Sequence, residues 1–133
     1  MNIALMAHDR KKELMVQFCI AYCGVLSSHK ICATNTTGHL VAEATGLPIT
    51  YYLSCNQGGN QQIGARIAYN EIDLVLFFCD PTGDVDLSGA YEIIRLCDKH
   101  NVPIATNVAT AEVLIQGLRR GDLDWRDIVN PKK

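Results

Sequence analysis

Apolar residues along this chain alternate between short unbroken runs and longer stretches of helical spacing. Asn2–Ala7 is a short apolar run followed by polar His8, Asp9 and Arg10, which predicts a buried parallel strand. Residues 10–25 then place Leu14, Met15, Phe18, Ile20, Ala21 and Val25 near helical periodicity, with Asp9 positioned to cap the start. Residues 29–34 give a second strand around Ile31 and Cys32. A loop of small hydroxyl residues, 34–38, leads into a predicted helix over 39–45 that Gly46 closes. Strand three spans 49–53, loop 54–60 carries two adjacent glycines, and a short helix follows over 61–70. Leu74–Phe78 is apolar at every position and reads as the central strand. A helix to about His100, a strand over 102–106 and a helix over 110–118 complete the alternation. Trp125 and Ile128 in the tail are expected to pack back on the body.

Alternating strands and helices with short loops imply an α/β fold. We expect a doubly wound three-layer α/β/α sandwich on a five-stranded, mainly parallel sheet, with the whole chain as one domain. In such a fold ligands lie beyond the carboxyl ends of the strands. The polar and glycine-rich loops 7–12, 34–38, 54–61, 80–88 and 107–110 all fall at that edge.

A chain of 133 residues buries enough surface for a core without staples. A net charge of -2 gives no bulk attraction to nucleic acid or anionic membrane, so neither is an expected partner. No basic stretch precedes a long apolar run, and no run approaches the roughly 20 residues that span a bilayer. Cytoplasmic residence is the expectation. Six cysteines then read as reduced thiols, mostly buried; Cys19 and Cys23 lack further ligands at zinc-site spacing, so no metal is expected.

Four clusters could carry chemistry. The Thr34–Gly38 turn offers backbone N–H groups and the Thr36 and Thr37 hydroxyls to an anion, or one threonine merely caps the helix. In the 54–62 loop, Gly58 and Gly59 allow close backbone approach and Asn60 opens a helix, or the whole is a solvated turn. Asp9 is a cap, an acid or base, or a partner for Lys12, of which the cap is the simplest. Asp80 orders neighbouring loops or binds a substrate hydroxyl, or it only accepts N–H bonds from the turn at Pro81.

Taken together, segments 3–9, 33–38, 44–46, 58–65, 72–78 and 103–111 resemble the methylglyoxal synthase family in order and spacing across nearly the whole chain. The resemblance implies conversion of dihydroxyacetone phosphate to methylglyoxal and phosphate, with no metal or organic cofactor, in a homo-oligomer, usually a hexamer. It places His8 and Asp9 after the first strand, Lys12 on phosphate, Thr36 and Thr37 as the phosphate-binding pair, Ser54 in the phosphate loop and Asp80 at the end of the fourth strand. Thr34, Cys55, Gly58 and Gly59 complete the expected binding set.

The family pattern also marks departures. Its Gly-Gly-Asp-Gln-Gln motif carries the proposed catalytic base, and here that position is Asn60. Cys55 and Asn35 replace glycines. The family loop bearing a catalytic histidine and an aspartate corresponds to 82–89, which is one residue shorter and lacks histidine. A carboxamide cannot take a carbon-bound proton, and a positioned base contributes about 10²–10⁴-fold. The sequence therefore favours a protein that binds phosphate or a small phosphorylated metabolite, with catalysis impaired or absent. The alternative is an active synthase in which Asp9 or Asp80 serves as base.

Overall fold

The computed structural model describes residues 1–82, 85–129 and 131. Five strands form one sheet: β1 (Asn2–Ala7), β2 (Lys30–Thr34), β3 (Ile49–Tyr52), β4 (Leu74–Phe78) and β5 (Ile104–Ala105). Their order is β3-β2-β1-β4-β5, and every pairing is parallel. The sheet is thus wholly parallel, and β1 rather than β4 is the middle strand. Both are apolar throughout because helices cover both faces.

Alternate residues of each strand enter opposite cores. Ile3, Leu5, Leu74, Leu76 and Phe78 pack with α1 (Lys12–Ala21), α3 (Asn35–Thr45) and α6 (Val108–Arg120). Ala4, Met6, Val75 and Phe77 pack with α4 (Gly59–Ala68) and α5 (Ser88–His100) on the other face. Each fully withdrawn side chain of this size contributes about 1.5–3 kcal/mol relative to exposure. The first predicted helix breaks at Tyr22, and a short α2 (Cys23–Leu26) follows. The expected αL residue at Gly46 is present, with φ 74°.

Other expectations are corrected. The third helix begins at Asn35, four residues before the predicted start, so Thr36 and Thr37 lie inside its first turn rather than capping it. Asp9 caps nothing: its side chain is 99% exposed and pairs with Lys12 Nζ at 3.1 Å. Asn60 is not a cap either, since α4 starts at Gly59 behind Gly58 in the αL conformation. The tail forms α7 (Trp125–Val129), but Ile128 is 82% exposed and Trp125 is half-exposed. Arg126 is the residue that docks, as charge complementarity outweighs apolarity there: it ion-pairs with buried Asp73 at 3.3 Å and donates to Asn101 O and Asn70 Oδ1. No helix among the described residues is long and apolar enough to cross a membrane.

Candidate functional site

Strand order reverses between β1 and β4, which opens a crevice beyond their carboxyl ends. The two strand ends are tied together there. His8 N–H donates to Phe78 O at 3.0 Å, and Asp80 N–H donates to His8 Nδ1 at 2.9 Å. A backbone amide can only donate, so Nδ1 carries no proton and neutral His8 is the Nε2–H tautomer. Its ring meets the edge of Phe77 at 5.2 Å. Burial holds the His8 pKa below the usual imidazole value, against the opposing pull of Asp80.

A cavity of about 940 Å³ occupies this crevice. From the segment after β1 come His8 and Asp9, and from the start of α1 comes Lys12. From the β2–α3 turn come Thr34 and Thr36. Ser54, Cys55 and Asn60 come from the β3–α4 turn, and Asp80 from the end of β4. Nine sequence-derived candidates therefore line one pocket. Thr37, Gly58 and Gly59 do not line it. Thr37 is buried, and its Oγ1 has no partner among the described residues. Gly59 has a steric role instead: a Cβ there would stand 2.0 Å from Leu53 O. That close approach seats the turn, with Gly59 N–H and Gln57 N–H both donating to Ser54 O.

Lys12 Nζ donates to Ala7 O at 2.7 Å while pairing with Asp9, which fixes its ammonium at the pocket. Around it the first turn of α3 presents N–H groups that no capping side chain satisfies, a suitable setting for an anion. Asp80 is 3% exposed. Its Oδ1 accepts from Thr82 N–H and Thr82 Oγ1, bonds that lower its pKa. Asp80 Oδ2 has no hydrogen-bond partner among the described residues; the nearest cation is Arg10 Nε at 3.9 Å. Asn60 Oδ1 is also buried, with no hydrogen-bond partner among the described residues. Burial pushes the Cys55 thiol up.

Sequence reading missed Arg10, Asp86, Ser88 and Gly89, which also line the pocket. Asp86 accepts from Ser88 N–H at 2.9 Å, and that bond lowers its pKa. The available signal was position at the ligand-bearing edge: Arg10 follows β1, and Asp86, Ser88 and Gly89 lie at the start of the helix after β4. Gly83 and Asp84 of the same loop lie outside the described residues. Among those described, no group of three or more His, Cys, Asp or Glu is arranged to hold a metal.

Comparison with known proteins gives a consistent result. The MGS-like domain family matches residues 15–106. A methylglyoxal synthase of Caldicellulosiruptor saccharolyticus is 59% identical over 133 residues, covering 99% of this chain and 94% of that protein. One from Oceanobacillus iheyensis is 51% identical over 134 residues, covering 100% and 96%. The crystal structure of methylglyoxal synthase from Elizabethkingia anophelis superimposes with TM-score 0.77 at 39% identity, covering 86% of this chain and 76% of that one.

Proposed function

This chain belongs to the MGS-like domain family, and on that premise we propose that its pocket binds a small phosphorylated metabolite while the lyase chemistry named for its relatives is impaired. The phosphate end rests on Lys12, Thr36 and Ser54; Thr37, the next residue of α3 after Thr36, keeps a buried hydroxyl without a partner among the described residues. A fixed ammonium and a helix start together favour an anion of this size.

The observation that carries the impairment is that Asn60, an amide, lines the cavity, at the position where the resemblance implies an aspartate base. The remaining carboxylates are poor substitutes. Asp80 and Asp86 are hydrogen-bonded as anions and held below the usual carboxylate range, which weakens them as bases. Asp9 is engaged by Lys12. Incubating the purified protein with dihydroxyacetone phosphate and measuring methylglyoxal tests this. The expected rate is at least about 100-fold below that of the Caldicellulosiruptor relative assayed beside it. Equal rates overturn the reading.

A second reading has one specific support. Identity of 59% over almost the full length favours an active methylglyoxal synthase, in which the pocket carboxylates Asp9 and Asp80 are the candidate bases. In that case Asp9→Asn or Asp80→Asn abolishes turnover that Asn60→Ala leaves intact.

A further inference from the structure

Glycine weakens a helix relative to alanine, so a helical glycine without a left-handed φ has its reason outside its own backbone. Gly89 is the second residue of α5 and is not among the glycines with positive φ. Its reason is a neighbour. A Cβ at position 89 would stand 2.2 Å from Asn60 Nδ2 and 3.4 Å from Asn60 Cγ. Beyond its chain neighbours and the α5 backbone, it would meet no other described atom within 4 Å. The helical glycines Gly38 and Gly64 instead meet the Tyr51 ring and the Leu96 side chain, neither of which lines the cavity.

A second glycine holds the backbone beneath Asn60. Gly59 N–H donates to Ser54 O at 3.0 Å, and a Cβ at 59 would stand 2.0 Å from Leu53 O. Position 60 is therefore seated against the β3–α4 turn. A side chain at 89 would be relieved by swinging the side chain at 60, not by moving its backbone. Asn60 and Gly89 both line the cavity, so that swing changes what the pocket presents. We infer that Gly89 is a positioning residue: its missing side chain fixes the direction in which side chain 60 stands in the crevice. An aspartate has nearly the shape of an asparagine, so a carboxylate at 60 meets the same limit. Misplacing a reacting group by about 1 Å costs roughly 10²-fold in rate. This rests on the reading of position 60 as the place of the base, and adds a second position on which that chemistry depends.

Two measurements on the full chain test this. The first is a urea-unfolding cycle of the parent, Gly89→Ala, Asn60→Ala and the double variant. Gly89→Ala should raise the unfolding midpoint more on the Asn60→Ala background, where the helix gains alanine without the clash, than on the parent. Equal changes on both backgrounds overturn the pairing. The second is methylglyoxal formation from dihydroxyacetone phosphate by Asn60→Asp. Adding Gly89→Ala should lower kcat at least about tenfold while KM stays within about twofold, the mark of a misplaced reacting group. Tyr91→Ala, on the exposed side of α5, should leave both unchanged. An unchanged kcat, or a loss carried by KM alone, overturns the positioning role. A parent as active as its Caldicellulosiruptor relative overturns the impairment reading instead, and the urea cycle still decides the pairing because it needs no turnover.

Discussion

Asp80 N–H donates to His8 Nδ1 across 2.9 Å, joining the ends of the two strands that flank the crevice. Protonating Nδ1 would destroy this bond, and burial already opposes the charged ring. Lys12 adds to that opposition, whereas Asp80 and Asp9 favour the charge. Because the folded pKa lies below the unfolded value of 6.5, the contribution of His8 to stability is complete above that pH. It is lost as pH falls through the folded pKa, since the unfolded chain takes up the proton first. Nitrogen-15 NMR should show His8 neutral and protonated on Nε2 at pH 7, with a titration midpoint below that of a model histidine. A proton on Nδ1, or a midpoint above 6.5, contradicts the arrangement.

Thr37 provides a test that separates binding from structure. Its Oγ1 is buried and has no partner among the described residues, so Thr37→Val removes a desolvated hydroxyl at almost no change in shape. Without ligand the variant should be equal to or up to about 1 kcal/mol more stable than the parent. In phosphate, the parent gains stability by mass action, and both Thr37→Val and Thr36→Val should lose most of that gain. Thermal melts with and without phosphate read both effects. A Thr37→Val protein that keeps the full phosphate shift removes this residue from the anion site.

Asn60→Asp restores a carboxylate in nearly the same shape. It stands in a pocket already lined by Asp9, Asp80 and Asp86, so like charges raise its pKa and increase its basicity. Methylglyoxal formation should therefore rise. It should still fall short of the Caldicellulosiruptor synthase assayed in parallel, because the loop after β4 supplies no histidine. Full recovery from this one change contradicts the importance given to that loop.

Local patterns were readable; distant pairings were not. Leu74–Phe78 and Gly46 declare themselves through an unbroken apolar run and a left-handed stop. The start of α3 was misplaced because Asn35, Thr36 and Thr37 carry no apolar periodicity, and only its later residues show the buried face. Asp9 was misread because a carboxylate after a strand looks the same whether it bonds its own backbone or Lys12. The pocket residues His8, Thr34, Ser54 and Asp80 were legible since each lies at the carboxyl end of a strand or within two residues of it, and topology collects such positions at one edge. Gly89 was not, because its role exists only through Asn60, 29 positions earlier in the chain (89 − 60).

The anchoring of the tail is the last case, and it yields a sharp stability contrast. Arg126 is 1% exposed and Asp73 is fully buried. Asp73 Oδ1 faces the guanidinium, and its Oδ2 accepts from Asn2 N–H at 2.8 Å. The residue thus ties α7 to the amino ends of β1 and β4. Removing one member of a buried ion pair leaves the other charge desolvated, which costs about 3–5 kcal/mol. Arg126→Ala should lower the urea unfolding free energy by that amount. Ile128→Ala, two residues away and 82% exposed, should change it by no more than about 0.5 kcal/mol. Apolar content alone ranks these two substitutions in the opposite order. A larger loss at Ile128 than at Arg126 would show that the tail is held by its apolar residues after all.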